Sequence, residues 1–203
     1  MATNRKEKAL AFVAAATSQD AETVRTLADS NYIQHNPYLP TGLEPFIGLF
    51  PAFEANGTQA KAVRVIEDGN FVAIHHVWSG TKPFGADEMV SFDIFRFDDN
   101  GKIVEHWDAL TPVVAETASG RSQTDGPTVA KDLDKTEVNK AAGTAMVEDI
   151  LMGKNPEKIT DHISAERYDQ HNPGIKDGLA GIIEAVEYLT ANNAMFKYSK
   201  IHK

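Results

Sequence analysis

The chain contains no cysteine. That absence removes disulfides, thiol nucleophiles and thiolate metal sites together, and it leaves a reducing compartment permitted. Basic runs are lacking too: 20 Lys and Arg face 29 Asp and Glu, for a net charge of -9. Nucleic acid or an anionic membrane would need a basic face to displace counterions, so neither is an expected partner. No apolar stretch approaches the roughly 20 residues of a membrane-spanning helix. A phosphate-cradling glycine loop with its lysine is missing, and so is a Gly-x-Ser-x-Gly elbow. What is present suits a globular protein with a core, since 42% of 203 residues are hydrophobic and 24% charged. "RKEKALAFVAAATSQ" from Arg5 has the charged start and apolar middle of a leader. Its apolar part is short and alanine-rich, so it reads as the first helix of a cytoplasmic protein.

The chain repeats itself. "NYIQHNPYLPTGLEPF" at 31–46 returns as "RYDQHNPGIKDGLAGI" at 167–182, an offset of 136. At that offset Ala9 matches Ala145, Leu27 matches Ile163, Tyr32 matches Tyr168 and Ile47 matches Ile183, without a gap. Glu148 and Asp149 fall in the counterpart of the apolar first segment, which strengthens its reading as a helix. An offset this long indicates two similar domains rather than a solenoid. The expected division is residues 1–114 as a complete domain, 115–135 as a linker rich in small and polar residues, and 136–203 as a second copy.

Apolar periodicity predicts helices over 4–18, with Ala9, Phe12, Val13 and Ala16 on one face, over 20–30 behind Asp20 as N-cap, and over 43–56. Pro37 and Pro40 hold the intervening phrase irregular. Strands follow at 61–69, 70–80, 89–99 and 102–110, joined by Gly- and Asn/Asp-rich turns. Helices first and antiparallel strands afterwards is the α+β pattern of a curved sheet wrapped over helices. The second copy repeats the helices and reaches only the start of its first strand at Lys197–Lys203. Its missing strands belong to a shortened C-terminus, which is the expectation, or to a partner's surface.

Three helices, a Tyr-x-Gln-His-Asn-Pro turn and strands ending in "DIFRFDDNGKIVEHWDAL" resemble the SnoaL-like polyketide cyclase family, of the nuclear-transport-factor-like cone fold. The resemblance spans residues 5–113, and only the helical part of 136–203. It implies a pocket inside the cone, closed by the helices, without metal or organic cofactor. It also implies an acid–base pair that closes a ring by intramolecular aldol chemistry on a small hydrophobic molecule. The superfamily mixes cyclases, isomerases, dehydratases, epoxide hydrolases and proteins with no catalysis, so the fold alone does not fix the reaction.

The residues themselves point to the last hairpin. Strand alternation puts Met89, Ser91, Asp93 and Phe95 on one face and Val104, His106, Asp108 and Leu110 on one face of the next strand. A two-residue turn at Asn100-Gly101 sets Asp93 opposite Asp108, and a four-residue loop sets it opposite His106. A three-residue loop sets it opposite Trp107 and breaks the group. Two carboxylates together in an apolar cone are expected to raise one pKa towards neutrality, with His106 as partner or base. Asp93, Asp108 and His106 are therefore candidate catalytic groups.

His35 is a fourth candidate, at the pocket mouth as donor or base. The alternative has His35 and Asn36 bonding backbone groups of the loop. Tyr32, Trp78, Trp107 and Phe95 either line a ligand cavity or pack the core. His75 and His76 point to opposite faces, so at most one can enter a pocket, and no metal site is expected. Asn56-Gly57-Thr58 spells a glycosylation sequon, which matters only in a secreted chain. Two functional readings stand: a cofactor-free cyclase or isomerase, and a non-catalytic binding module that pairs as a homodimer or within its own chain.

Overall fold

The structure, a computed structural model, describes residues 4–194 and residue 201. The strand expected at Lys197–Lys203 lies outside the described residues apart from Ile201. The chain divides into two compact units, Met1–Val113 and Val114–Lys203.

The first unit opens with helix α1, Arg5–Thr17, whose N-cap Asn4 accepts a hydrogen bond from the Glu7 amide. Its buried face is Ala9, Phe12, Val13, Ala15 and Ala16. Helix α2, Ala21–Leu27, is capped by Asp20, which accepts from the Thr23 amide at 3.0 Å and its hydroxyl at 2.6 Å. The helix expected to run to residue 30 stops at Leu27, because Ala28–Gln34 is a strand, β1. The helix expected over 43–56 is two, α3 at Leu43–Ile47 and α4 at Phe50–Asn56. Pro51 has no N–H to continue a ladder and sits instead at the first turn of α4, where none is needed.

Strands β2 (Gln59–Asp68), β3 (Phe71–Ser79), β4 (Glu88–Phe97) and β5 (Ile103–Pro112) complete a five-stranded sheet ordered β1-β5-β4-β3-β2. All neighbours are antiparallel except β1, which runs parallel to β5. The helices cover one side of this sheet. Phe12 of α1 stacks on Phe46 at 5.2 Å and meets Phe95 of β4 edge-on at 5.7 Å, and Val24, Tyr32, Leu43, Val72, Ile74, Phe97 and Ile103 are buried around them. Burying each such side chain is worth about 1.5–3 kcal/mol, so this layer carries the unit's stability.

The β4–β5 connection decides the register. Asp98 and Lys102 bracket a three-residue loop: the Asp98 amide donates to the Lys102 carbonyl at 2.9 Å, and the Lys102 amide to Asp98 Oδ1 at 2.8 Å. Gly101 takes φ +73° there. Alone, that loop would set Asp93 against Trp107. A bulge between the pairs Phe97–Ile103 and Arg96–Glu105 inserts one residue and restores Asp93 opposite Asp108. Ile103 and His106, three apart, are both buried for the same reason.

The second unit holds α5 (Thr136–Met146), which runs on into a wide π-helical turn at Val147–Leu151, then α6 (Ile159–His162) and α7 (Gly178–Ala191). No strand occurs among its described residues. Its buried hydrophobic residues are Ile150 and Ile163 among those described. Four hydrogen bonds of the first QHNP loop return in the second, at the same offset. In the first loop Gln34 Oε1 accepts from the Asn36 amide, Asn36 Oδ1 from Tyr38, Thr41 Oγ1 from Gln34, and the Tyr32 carbonyl from Gly42. In the second the acceptors are Gln170 Oε1, Asn172 Oδ1, Asp177 Oδ1 and the Tyr168 carbonyl, and the donors are the amides of Asn172, Gly174, Gln170 and Gly178. Residues 118–122 are tied to this second phrase. Ala118 donates to the Pro173 carbonyl and Ser119 Oγ to that of Gln170, while Ser122 accepts from His171 Nδ1.

Candidate active site

Strand β4 brings Asp93 to the helix-facing side of the sheet, between β5 with His106 and Asp108 and β3 with His76. Asp93 is 5% exposed, His106 6% and His76 1%. Each Asp93 oxygen is held by an imidazole: Oδ1 lies 3.2 Å from His106 Nε2, and Oδ2 lies 2.8 Å from His76 Nδ1. Oδ2 also accepts from Ser91 Oγ at 2.5 Å, and Ser91 in turn accepts from the half-buried Trp78 indole at 2.8 Å.

Burial alone would push the Asp93 carboxyl up. The hydrogen bonds and positive charge of His106 and then His76 outweigh it and hold the group well below the usual carboxylate range. Of the two carboxylates, one of which was expected to be raised by their crowding, Asp93 is shifted the opposite way. Asp93 is a fixed anion.

The hydrogen-bond directions then assign His106. Asp93 can only accept, so Nε2 donates to it. His106 Nδ1 faces Gln34 Oε1 at 3.1 Å, and that oxygen is identified because it also accepts the Asn36 amide at 3.0 Å. Nδ1 therefore donates too, and His106 is an imidazolium paired with Asp93. Phe95 stacks on it at 4.7 Å, and Tyr32 lies parallel at 6.3 Å. Tyr32 is fully buried. Its hydroxyl accepts from Gln34 Nε2 and keeps its proton, because burial first and the charges of Asp108 and Asp93 next push its pKa well up.

Asp108 completes the group. It is half-buried, its Oδ2 accepts from Asn36 Nδ2 at 2.7 Å, and no group bonds Oδ1 among the described residues. One ligating atom from each of Asp93, His106 and Asp108 lies within 4.8 Å of the others, close enough for a divalent cation. Two of those groups, however, already face each other as donor and acceptor, and a metal would have to displace the proton between them.

The structure thus brings together Asp93, His106, Asp108, Tyr32, Phe95 and Trp78, and it sets His35 and Trp107 apart. Both lie on the other face of β5, where Trp107 packs on Phe71 at 6.2 Å and His35 stacks on Trp107 at 4.7 Å. His35 Nε2 is 2.7 Å from Glu105 Oε1, and Arg96 donates to Oε2 at 2.6 Å. Burial raises the Glu105 carboxyl, and the bonds from His35 and Arg96 more than reverse that. Neighbouring residues alternate faces, so when Gln34 turns in to His106, His35 must turn out.

Sequence reasoning missed His76, Ser91 and Gln34, and it gave Asn36 only a backbone role. Parity was the available signal for two of them: His76 shares a face with Trp78, and Ser91 with Asp93. His75 turns outward, onto Phe92 at 4.3 Å and Arg64 at 3.1 Å. The sequon is poorly presented, since Thr58 is 3% exposed with its hydroxyl on the Gly80 carbonyl.

Residues 9–106 match the model of the SnoaL-like domain family. Among solved structures the chain is similar to IdmH of Streptomyces antibioticus, a candidate polyketide cyclase, with 22% identity over 53% of this chain and 92% of that one and a TM-score of 0.44. A candidate polyketide cyclase from Bacillus cereus is 20% identical over 51% of this chain and 71% of that one, with a TM-score of 0.44. An LEH-like epoxide hydrolase of M. tuberculosis is 18% identical over 53% and 82%, with a TM-score of 0.42. Comparison with curated proteins finds no match. The chain therefore carries a SnoaL-like domain of mixed α+β architecture at residues 9–106. No helix among the described residues is long and apolar enough to cross a membrane.

Proposed function

We propose that the first unit is a cofactor-free enzyme that moves a proton next to a carbonyl of a small hydrophobic substrate, in an aldol ring closure or an isomerisation, with Asp108 as the base. The observation that carries this reading is the division of labour between two carboxylates. Asp93 has its oxygens filled by His76, Ser91 and His106, so it positions and neutralises. Asp108 has one oxygen anchored by Asn36 and the other open. Its open Oδ1 takes the proton from the carbon next to the carbonyl, and the electron pair moves to the carbonyl oxygen. The His106 imidazolium beside it favours that developing negative charge, although both its N–H groups are already engaged. The proton then returns from Asp108 to carbon or oxygen, and the base is restored.

A ligand found by thermal-shift screening of aromatic ketones supplies the assay. Asp108→Asn is expected to lower its turnover by about 100- to 10,000-fold, the range of a general base, with unchanged folding. Unchanged turnover would remove Asp108 from the chemistry.

A non-catalytic pairing module is the second reading. The outer face of the sheet exposes Phe92 at 53%, Ile94 at 38% and Ile66 at 59%, a surface that a second copy would cover. Sedimentation equilibrium decides the pairing, and a strictly monomeric chain would end that part. The recurrence of four loop hydrogen bonds at one offset supports reading the second unit as a partial copy of the first.

A further inference from the structure

We propose that His35 is a positioning residue: held on the outer face of the sheet by Glu105 and Trp107, it fixes the inward settings of Gln34 and Asn36, and through them those of His106 and Asp108. Only the consequence for turnover rests on the proposed function. Three consecutive residues meet strand β5 at its edge. Gln34 Oε1 accepts from His106 Nδ1 at 3.1 Å, the His35 amide donates to the His106 carbonyl at 3.0 Å, and Asn36 Nδ2 donates to Asp108 Oδ2 at 2.7 Å. The His35 ring turns the other way. Its Nε2 donates to Glu105 Oε1 at 2.7 Å, and it stacks on Trp107 at 4.7 Å and within 4° of parallel. Glu105 is itself held by Arg96 of β4 and Trp107 by Phe71 of β3, so the outer anchor reaches three strands.

The backbone by itself holds this end of the sheet poorly. Among the described residues β1 is an edge strand beside β5, and its register is Ala28–Ile103, Ile33–Glu105 and Gln34–His106, irregular between the first two. Beyond Gln34 the chain leaves the ladder, and Pro37 has no N–H with which to rejoin it. Successive side chains alternate faces, so a twist of the backbone at His35 swings Gln34 and Asn36 together. The second loop gives an independent instance. Its His171 Nδ1 lies 2.9 Å from both the Ser122 carbonyl and Asp125 Oδ1, in a unit with no strand among its described residues. A tie that recurs without the sheet marks the histidine as an anchor of the loop rather than a reacting group.

The test reads the two ring N–H protons of His106 by proton NMR on the full chain, without substrate. The Nδ1 proton is held through the QHNP loop and the Nε2 proton by Asp93. His35→Phe keeps a ring against Trp107 and removes the donor to Glu105, and the His35 side chain is 40% exposed, so the core is untouched. This variant is expected to speed solvent exchange of the Nδ1 proton at least about tenfold and to leave the Nε2 proton as in the wild type. His35→Gln returns an amide donor to Glu105 and is expected to recover most of that loss. A wild type with no slowly exchanging Nδ1 proton, equal quickening of both protons, an unaltered Nδ1 proton, or His35→Gln as fast as His35→Phe would each overturn the proposal. Turnover is the second readout. In the exchange of the ring protons next to the carbonyl of β-tetralone, His35→Phe is expected to lower kcat by about 10- to 100-fold with KM unchanged, the cost of a misplaced base. A raised KM with kcat unchanged would make His35 a binding group and overturn its positioning role. A wild type that exchanges nothing would end the Asp108 reading, and the two His106 protons would still decide this one.

Discussion

Asp93 is the residue on which the site's stability turns. Replacing it by Asn leaves the His106 cation buried without its partner, a change that costs about 3–5 kcal/mol when one member of a buried pair is removed. The sign with pH follows from the depressed carboxyl. The unfolded group titrates near 3.9 and the folded one lower, so the contribution is complete above that range and is lost on acidification. Urea melts of the wild type and Asp93→Asn are expected to show a steady gap between about pH 5 and pH 6 and a shrinking one below about pH 4. A gap that widens on acidification would contradict the assignment. Strand parity alone made Asp93, His106 and Asp108 legible. His76 was not, because a His-His pair shows only that one of them turns inward, not that a carboxylate two strand positions away by register will meet it. Gln34 was hidden for a different reason: its partner His106 is 72 positions away.

At the scale of elements, close backbone approach is the checkable feature. Gly80, at φ +66°, ends β3 against the α4–β2 junction, and a Cβ there would meet the Asn56 carbonyl at 2.4 Å. Gly57 has a similar φ of +60° with nothing within 4 Å. Gly57→Ala is therefore expected to cost about 1 kcal/mol for the left-handed backbone alone, and Gly80→Ala about 2–4 kcal/mol through the added clash. Equal losses in thermal unfolding would show that the junction yields freely. Helix α1 and strands β2 to β5 were readable because their apolar periods are complete within each segment. Strand β1 was not: "ADSNYIQ" is poor in strand-forming residues, and its pairing with β5 is a long-range event with a shifted register. The three-residue loop was among the readings considered, but the bulge that reverses its effect leaves no mark in the sequence.

For the whole molecule, apolar burial is uneven. The core cluster runs from Ala9 to Ile103 within the first unit, whereas Ile150 and Ile163 are the buried hydrophobics described in the second. Amide exchange in the full chain is expected to protect β3, β4 and β5 most and to open residues 114–194 at a free energy lower by about 2 kcal/mol or more. Uniform protection would argue that the two units unfold as one. The offset of 136 was legible in the sequence as an ungapped match, and among the described residues the strands that hold Asp93, His106 and Asp108 lie in the first unit.

The claim that an anchored, half-open carboxylate works beside a neutralised one is tested most directly by proton exchange. In deuterated buffer the wild type is expected to speed the exchange of the ring protons next to the carbonyl of β-tetralone, followed by proton NMR, and Asp108→Asn to fall to the rate of buffer alone. Exchange that persists undiminished in Asp108→Asn would contradict the account.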